Sequence, residues 1–256
     1  MKKASPFAVF VTAFLLAVCI VPFVYVAVSG AIQNGQWTVS AYYEVFLGKS
    51  EFLLRFWKSA GLSLCIAVAQ LTVSVLAGYG FAKFRFPGKN TLFFLMIVLM
   101  ILPLQVTLMP NYLLLQRFGL LGTDLSLILP AIFVPLGTFI VTQGFRAVPD
   151  CLLEAAQLDG CGTLSMLPRI LIPNSSSALI CAALLSFVDA WNMVEQPLTY
   201  LDDFRDYPIS VALASVSPAE PTVLMACCVL VALPPLFLFL LFSREMSSVI
   251  DAGGEK

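Results

Sequence analysis

The 256-residue sequence contains no histidine. That excludes histidine-ligated metal centres, histidine general bases and Ser-His-Asp triads together. Charge is scarce too, at 11% of residues, where a soluble domain carries about 25%. Lys and Arg number 14 against 15 Asp and Glu, a balance that leaves no basic field for nucleic acid. Paired cysteines are also lacking. Cys19, Cys65, Cys151, Cys161, Cys181, Cys227 and Cys228 are odd in number, form no CxxC and lie mostly in apolar runs. They read as small buried hydrophobes, not a disulfide frame or a zinc site.

What remains is apolar: 60% of the chain is hydrophobic, above the 45–50% or so of a soluble domain. Neither a free soluble enzyme nor a disordered chain fits this. A helix crossing a hydrocarbon core of about 30 Å needs about 20 apolar residues. Six stretches without a charged residue qualify: 7–28, 60–82, 91–109, 125–145, 170–188 and 223–242. They are too continuous for barrel strands, which alternate over about 10 residues. The expected fold is all-α, a single polytopic domain over 1–256.

An even number of spans puts both termini on one side. With the N-terminus inside, nine of the 14 Lys and Arg fall on cytoplasmic segments, and the loop Lys83-Phe-Arg-Phe-Pro-Gly-Lys89 carries three of them. Outer loops are then expected at 29–59, 110–124 and 189–222. The Met-Lys-Lys start looks like a signal peptide, but its apolar run continues past Cys19 to Val28. A retained first helix is expected.

Prolines crowd the spans: Pro22, Pro103, Pro110, Pro130, Pro135, Pro173, Pro234 and Pro235. Each frees a carbonyl that a neighbouring helix or a wet cavity must satisfy. Ordinary packing and a pathway that opens and closes both account for them. Polar residues within spans are few. Gln70 and Gln105 are candidates for pathway lining, although interhelical glue is the commoner role of such residues and the favoured one for a lone Gln70. Asp189-Ala-Trp-Asn-Met-Val-Glu195 ends the fifth span with groups that are expensive at membrane depth and tend to face a cavity. Asp189, Trp191 and Asn192 are candidates for that lining, although Trp191 also suits an interfacial belt.

Residues 147–169 form a cytoplasmic loop on this topology. Pro149-Asp150 starts a helix and Gly160 stops it, so 151–159 should form two to three turns. A helix so short needs something to pack on. Its small residues Ala155, Ala156 and Gly160 admit a close partner; the alternative is a loop wrapped on the chain's own helices.

Glu154-Ala-Ala-x-x-x-Gly160, then nine residues, then Ile170-x-Ile-Pro173 resembles the cytoplasmic EAA signature of permease subunits of binding-protein-dependent ABC importers. Ile172 replaces the usual Leu. Asp159-Gly160, the run Gly78-Tyr-Gly-Phe-Ala-Lys-Phe-Arg-Phe-Pro-Gly-Lys89, Pro103, Pro110-Asn-Tyr112, Trp191-Asn192 and Pro197-Leu198 look like the carbohydrate branch, the maltose-type second permease. Cys161 replaces the commoner Ala, and the tail lacks the frequent Lys-Gly ending. The resemblance implies a six-helix type I importer transmembrane domain in a bacterial cytoplasmic membrane. It implies a second permease subunit, two ATPase subunits docked on EAA loops and an extracytoplasmic solute-binding protein. The cargo would be a sugar or oligosaccharide, with glycerol phosphate or an amino acid as alternatives. Glu154, Ala155, Ala156, Asp159, Gly160, Ile170 and Pro173 would couple to the ATPase. No cofactor belongs to the chain; ATP and Mg serve the partner ATPase.

An ion-coupled carrier would need more intramembrane ionisable residues than Asp189. Gly48-Lys49-Ser50 mimics a P-loop ending, but Tyr43 stands where that motif requires glycine. The chain itself is expected to have no catalytic site.

Overall fold

A computed structural model describes residues 6–33, 36–45, 50–213, 221–243 and 245. The P-loop mimic at 48–50, the 214–220 part of the expected 189–222 loop and the C-terminal tail therefore lie wholly or largely outside the described residues. Helix α1 spans Pro6–Gly30, and a two-residue antiparallel pair, Ile32–Gln33 with Gln36–Trp37, follows it. Then come α2 (Ser40–Tyr43), α3 (Ser50–Lys83), α4 (Lys89–Ile101), α5 (Leu104–Arg117), α6 (Leu125–Ile132) and α7 (Pro135–Ala147). The second half holds α8 (Asp150–Leu158), α9 (Thr163–Met166), a π-helical turn over Leu167–Leu171, α10 (Ile172–Asn174) and α11 (Ser176–Trp191). Helices α12 (Glu195–Tyr200), α13 (Ile209–Ala212) and α14 (Pro221–Leu241) complete it.

Among the described residues, four helical stretches are long and apolar enough to cross a membrane: Val9–Gly30, Glu51–Lys83, Leu125–Ala147 and Pro221–Leu241. Two bent pairs raise the number to six if each is one crossing. The third span, expected as one run over 91–109, turns through 103° between α4 and α5. The cause is Pro103. It pushes Leu102 out of the helical region to φ −65°, ψ 129°, as a residue before proline prefers. The fifth span, expected from 170, bends by 84° before α11. Pro173 removes one ladder donor, the Leu167–Leu171 turn widens to a π-helix, and Ser175 leaves helical geometry at φ −125°, ψ 23°. Asn174 Nδ2 donates to the Ile170 carbonyl at 2.8 Å, which repairs part of the loss.

The second span begins earlier than position 60. Helix α3 starts at Ser50, with Glu51 in its first turn, where the helix dipole favours an acid. Helix α5 likewise carries the chain through Arg117, into the expected 110–124 loop.

The centre of the bundle is α3, α7 and α11. In lipid such contacts rest on close packing, and small residues permit it. A Cβ on Gly137 would lie 2.6 Å from Ser74 Oγ of α3, and one on Gly144 would lie 2.5 Å from Ala178 Cβ of α11. Ser175 Oγ reinforces the second contact by donating to the Gly144 carbonyl at 3.1 Å. Helix α1 packs on α14 instead, and most of its apolar side chains are exposed.

Candidate coupling loop and cavity

Two sites lie along α3, one at its C-terminal end and one at its middle. At its C-terminal end the chain leaves α7 through two extended residues, Val148 and Pro149, and enters α8. Helix α8 covers Asp150–Leu158, one residue earlier than the expected 151–159. Its end is a Schellman motif: Gly160 N–H donates to the Gln157 carbonyl at 3.0 Å and Cys161 N–H to the Ala156 carbonyl at 2.9 Å. Gly160 adopts φ +79° with open space where a Cβ would be, so backbone strain alone dictates glycine here.

Leu153 is the one buried residue of α8, packed with Val148 and Met166 in the core cluster beneath the loop. Glu154, Ala155, Asp159 and Gly160 are exposed, and Ala156 is half-buried. Beside them Leu158 is 91% exposed and Leu164 76%, unusual for leucines next to polar loop residues. Ile170 packs partly against the core, while Pro173 is exposed. The structure therefore leaves Glu154, Ala155, Asp159 and Gly160 exposed around α8 and its end, whereas Ile170 packs against the core.

Two residues of α3 that sequence reasoning did not assign to this site hold the loop from behind. Tyr79 OH donates to the Thr163 carbonyl at 2.7 Å. Lys83 Nζ donates at 2.7 Å to both the Val148 carbonyl and Asp150 Oδ1. The hydrogen bond from Lys83, then its charge, hold the Asp150 carboxyl below the usual carboxylate range; slight desolvation opposes this and Arg85 adds to it. The signal was the four-residue spacing of Tyr79 and Lys83, which puts both on one helix face.

Toward the other end of the bundle, α3, α5, α6, α11 and α12 enclose a cavity of about 530 Å³. Asp189 and Glu195 supply its carboxylates and Gln70, Asn111, Asn192 and Gln196 its amides; among the described residues no Lys or Arg lines it. Gln70 is buried, its Nε2 3.5 Å from the carbonyl of Val134, the residue that precedes Pro135 at the start of α7. Gln105 stands at the rim, where Nε2 donates to both oxygens of Glu195 at 2.9 and 3.1 Å.

Trp191, expected in the same lining, is placed elsewhere. It is 1% exposed and turned away from the cavity, stacked on Phe187 and edge-on to Phe56, with Nε1 donating to the Val231 carbonyl at 3.0 Å. The helical turn separates it from Asp189 and Asn192, and a large ring with one donor is best satisfied against α14. Beyond the cavity, Lys58 bridges Asp206 at 2.8 Å and Asp124 at 3.4 Å, tying α3 to the loops before α6 and α13.

Comparison with known proteins places this geometry. The arabinooligosaccharides transport system permease protein AraQ of Halalkalibacterium halodurans is 28% identical over 222 residues, 86% of this chain and 80% of that one. AraQ of Bacillus subtilis is 30% identical over 215 residues, 83% and 76% of the two chains. The sn-glycerol-3-phosphate transport system permease protein UgpE of Yersinia pestis is 30% identical over 198 residues, 75% and 70%. In fold, a chain from the crystal structure of a bacterial ABC transporter that imports the acidic polysaccharide alginate superposes with a TM-score of 0.81 at 19% identity, covering 96% of this chain and all of that one. Residues 70–246 match the family described as the binding-protein-dependent transport system inner membrane component, and the chain belongs to that family.

Proposed function

We propose that this chain is one of two permease subunits of a bacterial ABC importer and forms half of the path for a sugar or oligosaccharide. Each bent pair counts as one crossing, which gives six helices with both termini cytoplasmic in the cytoplasmic membrane. Helix α8 is the coupling helix: it docks in a separate ATPase, one of two, which uses ATP and Mg. Closure of the ATPase pair moves the coupling helices, and the bundle alternates between inward- and outward-facing states. A solute-binding protein delivers cargo from outside, where the Lys58 bridges lie.

The observation that carries this reading is the exposed face of α8. A nine-residue helix buries a single side chain and exposes Glu154, Ala155 and Gly160, with Leu158 and Leu164 alongside. A surface of this kind is supported in water by a partner. A phosphorylated cargo, as in the name of one relative, has less support, because the cavity lining has carboxylates and, among the described residues, no cation. Neutral hydroxyls suit its amides better.

The test is co-purification of the chain with a second permease and ATPase subunits, followed by ATP hydrolysis with and without a loaded binding protein. A stable complex with stimulated hydrolysis supports the reading; no complex, or no stimulation, overturns it.

A further inference from the structure

The covalent routes from α8 into the bundle are poor levers. Its entry passes through two extended residues, Val148 (ψ 122°) and Pro149 (ψ 137°), which interrupt the helical hydrogen bonds from α7. Its exit passes through Gly160, Gly162 and a π-helical turn before the bend at Ser175. The contact with α3 is of another kind. Tyr79 and Lys83, one turn apart, hold Thr163 on the exit side and Val148 with Asp150 on the entry side, all at 2.7 Å. Tyr79 is 5% exposed and the Lys83 side chain 11%, so the bonds to the Thr163 and Val148 carbonyls are shielded from water, whereas Asp150, 77% exposed, leaves its side of the ion pair open.

Helix α3 is also the element that reaches the cavity. Gln70, buried in its wall, lies nine residues from Tyr79, about 14 Å along an unbroken helix. Both ends of the loop are thus fixed to a rod whose middle lines the cavity. We infer that Tyr79 and Lys83 are positioning residues that join α8 and α3 into one rigid body, so that work done on α8 enters the cavity wall through α3. This rests on the coupling role proposed for α8. Neither residue touches cargo or nucleotide; each acts through the loop it holds.

The experiment uses the full complex in vesicles, with spin labels at position 152 on α8 and position 68 on α3, both exposed. A cysteine-substituted background keeps the labels unique. The inter-label distance is measured without nucleotide and with ATP and Mg bound to a hydrolysis-deficient ATPase. The parental distance should stay the same in both states, because the two helices move together. In Tyr79→Phe/Lys83→Met it should broaden or shift on ATP binding, and Lys83→Arg, which preserves the ion pair, should behave as the parent. Tyr79→Phe removes a single oxygen and serves if the double variant fails to assemble. Solute moved per ATP should fall about fivefold or more in the double variant while the ATPase still co-purifies. A parental distance that changes with ATP, or a double variant indistinguishable from the parent, overturns the inference alone. Failure of the ATPase to bind even the parent overturns the coupling reading and this inference with it.

Discussion

Gly144 of α7 and Ala178 of α11 are so close that a methyl group on Gly144 would lie 2.5 Å from the Ala178 Cβ. No real pair of carbons tolerates that distance, so the helices would have to part. Gly144→Ala should cost about 1–3 kcal/mol by overpacking. Ala178→Gly should recover much of the loss in the double variant, because it removes the other methyl. Thermal unfolding in detergent measures the cycle; additive costs would show that the contact is not the reason for the glycine.

Gly160 presents a different constraint. Gly160→Ala meets no atom but must adopt φ +79°, a strain of about 1 kcal/mol that frays the end of α8. Gly160→Asp and Glu154→Lys should weaken ATPase co-purification while membrane insertion stays intact. If either still transports at the parental rate, the role assigned to the loop is wrong.

Acid should loosen the loop at its entry. The folded-state pKa of Asp150 is depressed, so its contact with Lys83 is fully present above the ordinary carboxylate range and disappears as pH falls through the depressed value. A spin label at position 152 should report unchanged mobility from pH 8 to about 5 and increased mobility below about 4. Asp150→Asn should be mobile at every pH. A loosening centred near neutrality would contradict the assignment.

Trp191 and Asn192 are sequence neighbours with opposite surroundings. With Cys151, which is exposed, and the other native cysteines except Cys227 replaced, Asn192→Cys should react with a water-soluble maleimide through the cavity, whereas Cys227, 2% exposed, should not. Trp191→Ala should cost about 3–5 kcal/mol of stability, since it empties a packed site and leaves the Val231 carbonyl without its donor.

Much of this was legible in the sequence because lipid imposes a simple requirement on composition. The apolar runs fall on the four long apolar helices and the two bent pairs, and the glycine after Asp159 ends α8 in a pair of Schellman bonds. The bends were less legible. Pro103 lies within the apolar stretch 91–109 and Pro110 just past its end, yet the chain turns at Pro103 and passes through Pro110 inside α5. The difference is whether the residue before the proline gives up its helical angles, which neighbouring helices decide. Trp191 was misplaced for a related reason: adjacent positions on a helix point about 100° apart, and only packing against α14 fixes which one faces the cavity. Tyr79 and Lys83 lay within the quoted Gly78–Lys89 run, but their partners are 65 to 84 residues away, beyond the reach of local pattern.

The 103° turn at Leu102–Pro103 carries a wetting requirement. A helix that stops leaves its last carbonyls without internal donors, and hydrocarbon offers none. At whatever depth this elbow lies, water or a donor from packed protein must accompany it, so a stretch that the apolar run alone would leave bare to lipid has to be wet or covered.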